Sequence, residues 1–399
     1  MAATPSVPLA DRMTRLGTES AFEVLARAQA IEATGRKVIH LEIGEPDFPT
    51  PGHIVEAAVA GLRAGKTHYV PAPGVPPLRE AVAAFLDRTG RMTATPDRVI
   101  VTPGAKPIMF FSILALCGEG DEVLYPDPGF PMYESITAFA GAVPVPVPLR
   151  EGNQFRIDTD ELESLITGRS KLLIINSPHN PCGSALTRED CEAIAEIALR
   201  HDLTVLSDEV YWAIRYGDQP HASVLDVDGM ADRTILLDGW SKTFAMTGWR
   251  LGFGVFPPGL VEPVTRLVIN SVSCTSAFSQ DAAVAALTGP WAPVEAMVAE
   301  FRRRRDVIVA GLNDIPGISC VEPQGAFYAF PNITGTGLTS AELASALLQE
   351  AGVAALAGTA FGPCGEGFLR FSYANSVENI EAALAAIRHQ LDLLRTSVS

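Results

Sequence analysis

Through the middle of this chain, short runs of Val, Ile and Leu alternate with amphipathic helical stretches, and that rhythm leaves few folds open. The strand candidates are Arg98–Thr102, Glu122–Tyr125, Ala142–Val147, Lys171–Asn176, Leu203–Ser207, Thr234–Asp238 and Leu251–Phe256. Helical patterns lie between most of them, such as Lys106–Cys117 and Thr187–His201, and Pro258–Ile269 follows the last. Continuous apolar runs, unlike strict alternation, suit strands covered on both faces, so the spacing predicts an α/β layer structure with a mainly parallel sheet. The C-terminal part reads differently. A long helix from Trp291 to about Leu312 precedes short strands at Ala326–Phe330 and Gly367–Ser372 and helices at Ser340–Ala351 and Val377–Leu394. With 399 residues and domains of roughly 100–200 residues, two domains are expected. They are a large sheet domain over residues 47–290 and a smaller α+β domain built from both chain ends, 1–46 and 291–399.

Charge excludes several partner classes. The formal net charge is −16, which phosphate backbones and anionic lipid repel, so neither nucleic acid nor a membrane surface is expected as a partner. No apolar run approaches the ~20 residues of a spanning helix. The first fifteen residues lack an apolar core of signal-peptide length, so a cytoplasmic location is expected. The run Arg302–Arg305 reads as a solvated helix face in so acidic a chain. Six scattered cysteines without a CxxC pair fit neither a disulfide framework nor a zinc knuckle. His179 and Cys182 have ligand spacing but no second pair beside them, so no metal is expected. Gly61-Leu-Arg-Ala-Gly65-Lys66-Thr67 imitates a nucleotide loop, but it is one residue short between the glycines and follows a helix.

Four strand candidates run into polar turns, and in open α/β sheets ligands bind at the carboxyl ends of strands. These turns are Pro103-Gly-Ala-Lys106, Ser177-Pro-His-Asn-Pro-Cys-Gly183, Asp208-Glu-Val-Tyr211 and Gly239-Trp-Ser-Lys242. If the strands are parallel and adjacent, one crevice gathers an anion cradle, an amide, a carboxylate, a phenol and an amine. Singly, each has an ordinary reading as turn, helix cap or solvated lysine. Together they meet the requirements of pyridoxal phosphate. That cofactor needs an amine to condense with its aldehyde, a carboxylate at the pyridine nitrogen, donors to the ring hydroxyl and a helix N-terminus for its phosphate. Phe130, in the turn Asp127-Pro-Gly-Phe130, supplies an aromatic face. Only five lysines are present, and Lys242 is the best placed; Lys37, Lys66, Lys106 and Lys171 fit less well.

The sequence resembles the class I/II aminotransferases, the fold type I enzymes that use pyridoxal phosphate. The resemblance runs over nearly the whole chain. It is carried by Leu41-Glu-Ile-Gly44-Glu-Pro-Asp-Phe-Pro-Thr-Pro51, Thr67-His-Tyr69 with Gly74, Asn180-Pro-Cys-Gly183 and Asp208-Glu-Val-Tyr211. Ser241-Lys242 leading to Gly248-Trp-Arg250, Gly325-Ala-Phe-Tyr328 and Phe368-Leu-Arg370-Phe-Ser-Tyr373 complete it. The family pattern implies Lys242 as the cofactor-binding amine, Asp208 at the ring nitrogen, and Asn180 and Tyr211 at the ring hydroxyl. It implies Phe130 stacked on the ring, and Gly104, Ala105, Lys106 and Arg250 at the phosphate. Tyr69 would reach the phosphate of a neighbouring subunit, which implies a homodimer with shared sites. Arg370 would take the substrate α-carboxylate, beside the backbone of Gly44. For Arg370 the residue itself argues the same way, because a guanidinium in an apolar strand needs a partner and its planar fork suits a carboxylate.

The sequence departs from the pattern at Cys182, where the turn commonly has Thr, and at Gly239, where many relatives carry a phosphate-binding Ser that Ser241 would replace. Residues 271–280 lack the arginine with which one aspartate-specific branch grips a second carboxylate. The expected reaction is a ping-pong exchange of an amino group between an L-amino acid and a 2-oxo acid, an aspartate/2-oxoglutarate-like pair being one option. The alternative is β- or γ-elimination on the same cofactor. A regulator with an aminotransferase-like sensor is not expected, since the pattern begins by about Phe22 and leaves no room for a DNA-binding module ahead of it.

Overall fold

The computed structural model describes residues 7–398. Residues 1–6, at the front of both the segment assigned to the smaller domain and the stretch read for a leader, lie outside the described residues, as does Ser399. In chain order the strands are β1 (Ile39–His40), β2 (Val99–Thr102), β3 (Glu122–Asp127), β4 (Val143–Pro148), β5 (Ser170–Asn176) and β6 (Thr204–Asp208). They continue with β7 (Thr234–Gly239), β8 (Gly252–Val255), β9 (Tyr328–Ala329), β10 (Val353–Ala354), β11 (Leu356–Ala357) and β12 (Leu369–Ser372).

Seven strands form one sheet in the order β2-β8-β7-β6-β5-β3-β4. The five strands from β7 to β4 run parallel, whereas β8 is antiparallel to both β7 and β2. The expectation that the four loop-bearing strands are adjacent therefore fails at one place: β8 lies between β2 and β7. Because β8 reverses direction twice over, β2 still points the same way as β7, and its carboxyl end reaches the same edge. Gly252 makes the insertion possible. A Cβ there would collide with the backbone of Gly104 and Ala105, so only glycine lets β8 begin against the turn after β2.

Both faces of the sheet are covered, as the apolar runs imply. Along β5, Leu173 and Ile175 pack with Ile194, Ala198 and Val205 on one side, while Leu172 and Ile174 pack with Ile108, Tyr133 and Leu206 on the other. The first of these faces is covered by the helix Arg188–Arg200, which starts in a capping box: Thr187 Oγ1 accepts from Asp190 N at 3.2 Å and Asp190 returns the bond to Thr187 N at 2.9 Å. Strand β4 reads Val-Pro-Val-Pro-Val-Pro and, among the described residues, pairs with β3 alone. Its prolines lack donors, which restricts such a strand to the sheet edge.

The smaller sheets draw on both chain ends. β1 pairs in parallel with β10, and β12 lies between β11 and β9. The helix Ala292–Asn313 packs against the C-terminal helix Val377–Val398 and against β9. The helix read at Ser340–Ala351 is α-helical to Ala346 and widens into a π turn over Leu347–Ala351. The Arg302–Arg305 run corrects its reading as a solvated face, because Arg304 and Arg305 are buried. Arg304 joins Asp47 at 2.7 Å and Glu300 at 2.9 Å, and Arg305 joins Asp306 at 2.7 Å and Glu322 at 3.2 Å. Helix-local acids and the loop holding Asp47 neutralise the run, so a global charge count could not reveal its burial. Among the described residues no single helix is long and apolar enough to cross a membrane.

Candidate active site

A cleft of about 790 Å³ opens where β5, β6 and β7 end, within the range of roughly 300–1,000 Å³ typical of small-molecule sites. Its walls hold Gly44, Ala105, Lys106, Phe130, Asn180, Asp208, Tyr211, Ser241, Lys242, Arg250 and Arg370. Gly104 sits in the turn just behind Ala105. Tyr69 is the exception among the sequence-derived site residues: it lies outside this cleft and is 89% exposed.

Lys242 stands on the short helix Trp240–Thr243, which β7 feeds directly through the extended Gly239. Trp240 is fully buried and donates its indole N–H to Ala283 O at 3.2 Å, which anchors the turn from below. The Lys242 ammonium donates to Gly44 O at 2.5 Å and lies 5.9 Å and 5.8 Å from the rings of Tyr211 and Phe327. Burial pushes its titration down to about 8. A Cβ on Gly239 would sit 3.0 Å from Leu251 O, so the backbone crowds this position against a larger side chain.

Asp208 ends β6 and is buried. Its Oδ2 accepts from Tyr133 Oη at 2.7 Å and its Oδ1 from Val210 N at 3.3 Å. Burial raises its titration to about 6; those two hydrogen bonds oppose the rise, and the charges of Asp238 and Glu209 add to it. Asn176 donates to Asp208 O at 2.9 Å and accepts from Asn180 N at 2.9 Å, tying the ends of β5 and β6 together. Tyr211 Oη shares a 2.7 Å hydrogen bond with Tyr328 Oη.

Arg370, in β12, is buried, and no carboxylate among the described residues forms an ion pair with it. Nη1 donates to Asn180 Oδ1 at 3.1 Å, Nη2 donates to Glu42 O, and Nε has no acceptor. The guanidinium lies 4.5 Å from the ring of Tyr328 and 4.8 Å from that of Phe361. Burying such a cation is unfavourable unless an anion joins it, so the fork is set for an incoming carboxylate.

The turn after β2 suits a phosphate. Gly104 has φ of +89°, and a Cβ there would collide with Arg250 Nη2. Ala105 and Lys106 follow at the N-terminus of the helix Lys106–Leu116, where Pro107 has no N–H and Ile108 N donates to Ala105 O at 3.0 Å, so the N–H groups of Ala105 and Lys106 are the ones left to meet an anion. Arg250 is exposed, and its Nη1 donates to Thr247 O at 2.8 Å. The Lys106 side chain pairs with Glu19 and stands 5.5 Å from the Phe130 ring. Amine, acid, donors, aromatic face and anion cradle thus meet the chemical needs of a pyridoxal phosphate molecule.

Sequence reasoning missed Tyr133, Asn176 and Tyr328, which act on the site through Asp208, Asn180, Tyr211 and Gly44. Tyr328 stands in the quoted Gly325-Ala-Phe-Tyr328 stretch, and a Cβ on Gly44 would collide with its hydroxyl. For Tyr133 no local signal exists. The buried His179 accepts from Cys182 N at 3.4 Å, and burial lowers its titration to about 3. Among the described residues no group of three His, Cys, Asp or Glu is placed to hold a metal.

Comparison with known proteins agrees with this architecture. The family model described as aminotransferase class I and II matches residues 36–387, and the chain belongs to that family. It is 46% identical to an aspartate aminotransferase of Pyrococcus abyssi, over 89% of this chain and 92% of the relative. It is 42% identical to aromatic-amino-acid aminotransferase 2 of Thermococcus litoralis, over 94% of this chain and 96% of the relative. Among solved structures, an aspartate aminotransferase from Thermus thermophilus with maleate matches with a TM-score of 0.93 at 35% identity, covering 96% of this chain and 100% of that one. The chain is an aminotransferase, and elimination gives way to transfer as its reaction.

Proposed function

We propose that this aminotransferase moves an amino group between an L-amino acid and a 2-oxo acid in ping-pong order, with pyridoxal 5'-phosphate as cofactor. When bound, that cofactor supplies an electron sink for the pair of electrons left at the substrate Cα as its proton departs. Lys242 would provide the amine that holds it and the base that moves the substrate Cα proton. A titration near 8 lets this amine gain and lose a proton at little cost close to neutral pH. Asp208, oriented by Tyr133, would serve the ring nitrogen and keep it protonated. Asn180 and Tyr211 would donate to the ring hydroxyl, and Phe130 would cover the ring.

The backbone of Gly104, Ala105 and Lys106, with Ser241 and Arg250, holds the phosphate. Arg370 and the backbone of Gly44 take the α-carboxylate, which orients Cα toward Lys242. Tyr69 serves the phosphate of a second copy, so the working form is a homodimer with shared sites. Residues 47–290 act as the cofactor domain, with 1–46 and 291–399 as the smaller one, in a cytoplasmic protein. Aspartate and aromatic donors, each with 2-oxoglutarate, are the pairs to test first. The wall bearing Phe22, Leu25 and Lys106 offers both an apolar surface and a cation.

The observation that carries this reading is a buried guanidinium without a carboxylate, in one cleft with a buried acid and an amine of lowered titration. Its test is Lys242→Ala. The native chain should develop visible absorbance with the cofactor and turn over repeatedly; the variant should do neither, and full turnover by the variant would refute the assignment.

A further inference from the structure

Behind the cleft lies a charged group that no step above uses. Arg91 is buried, 5% exposed. Its Nη1 donates to Asp238 Oδ2 at 2.6 Å and its Nη2 to Glu209 Oε2 at 2.7 Å, and the guanidinium lies 4.4 Å from the Trp212 ring. The two carboxylates come from neighbouring strands. Glu209 follows Asp208 at the end of β6, and Asp238 lies in β7 four residues before Lys242. Each is held from other directions as well. Glu209 accepts from Ser207 Oγ at 2.9 Å and Ser223 Oγ at 2.5 Å, and pairs with His221 Nε2 at 2.9 Å. Asp238 Oδ1 accepts from Gly239 N at 2.6 Å, at the start of the lysine turn.

We propose that Arg91 is a positioning residue for the transamination site: by bridging Glu209 and Asp238 it locks the turn bearing Asp208 against the turn bearing Lys242 and offsets part of the negative charge behind Asp208. The proposal rests on the reading of Asp208 as the partner of the cofactor ring nitrogen. Two buried carboxylates on adjacent strand ends repel each other and would spread the turns without a cation between them. A planar fork reaches both at once, which a lysine ammonium does not. The groups that bear on Asp208 are the Tyr133 hydroxyl, Val210 N, Tyr211, Asp238 and Glu209. The last two already push its titration upward, so loss of Arg91 removes the buried cation that offsets them and leaves the His221 contact at Glu209 as the remaining counterweight.

The test uses the full-length chain freed of cofactor and titrated with pyridoxal 5'-phosphate across a range of pH, followed by tryptophan quenching. In the native protein, affinity should fall as pH drops through the Asp208 titration at about 6. Arg91→Met should move that midpoint up by about one pH unit, and Asp238→Asn should move it down. Arg91→Met combined with Asp238→Asn should bring it back toward the native value, and Arg91→Lys should fall between. A purely structural ion pair would lower thermal stability and leave every midpoint in place, and that result overturns the proposal. If Arg91→Met does not fold, Asp238→Asn decides alone: an unmoved midpoint overturns the proposal. A native chain that binds no pyridoxal 5'-phosphate overturns the reading of the site itself, and the proposal with it.

Discussion

Replacing Arg370 by Leu separates function from stability more sharply than any other change in the cleft. In the folded chain the guanidinium has two acceptors, Asn180 Oδ1 and Glu42 O, and no carboxylate among the described residues in ion-pair contact. Losing two such hydrogen bonds costs roughly 1 kcal/mol each. Removing an unpaired buried cation returns a desolvation penalty of the order of several kcal/mol. The two effects oppose each other, so unfolding free energy should change by no more than about 2 kcal/mol in either direction. Activity has no such offset. Two charge-assisted hydrogen bonds to a substrate carboxylate are worth roughly 3–6 kcal/mol together, or about 10²- to 10⁴-fold in kcat/KM. Single-turnover kinetics with an amino acid and with its decarboxylated amine test the cause. The native enzyme should prefer the amino acid by about that factor, and the variant should lose the preference. A variant that unfolds readily yet keeps the preference per folded molecule would refute a carboxylate-binding role.

Other expectations follow from the same geometry. Asp208 titrates near 6 in the folded chain against an ordinary 3.8, so the native state holds its proton more tightly than the unfolded state does. Its stability contribution is therefore full in acid and is lost as pH rises from about 4 to about 6. Asp208→Asn escapes that loss and should stabilise the cofactor-free protein at neutral pH by about 2–3 kcal/mol in denaturant titrations, while abolishing turnover. Tyr133→Phe removes a hydrogen bond that favours the ionised carboxylate, so the acid limb of kcat/KM should shift to higher pH. Glu19→Gln frees Lys106 from its ion pair at the cleft wall, and kcat/KM for aspartate relative to phenylalanine should rise several-fold. An unchanged ratio would remove Lys106 from the specificity argument.

Much of this site was legible because strand-end turns are local in sequence. Each of β2, β5, β6 and β7 announces itself as an apolar run, and the polar residues just past it name the chemistry. What was not legible is non-local. The antiparallel insertion of β8 depends on Gly252 meeting the Gly104 turn, a contact between residues 148 positions apart that no periodicity encodes. Tyr133 carries no local signal, and its role appears only when the helix Met132–Ala140 packs its hydroxyl onto Asp208. Arg304 and Arg305 look like a solvated run until the loop holding Asp47 folds over the first and Glu322 meets the second. Tyr69 lies exposed outside the cleft in the single chain, and its proposed place at a second copy's phosphate comes from the family pattern alone.

The most direct measurement is chemical. The purified protein is incubated with pyridoxal 5'-phosphate, reduced with borohydride to fix the bond between amine and aldehyde, digested, and mapped by mass spectrometry. Of five lysines, Lys242 alone should carry the cofactor, and Asp208→Asn should keep the label while losing turnover. Label on Lys106 or another lysine, or none at all, would contradict the account.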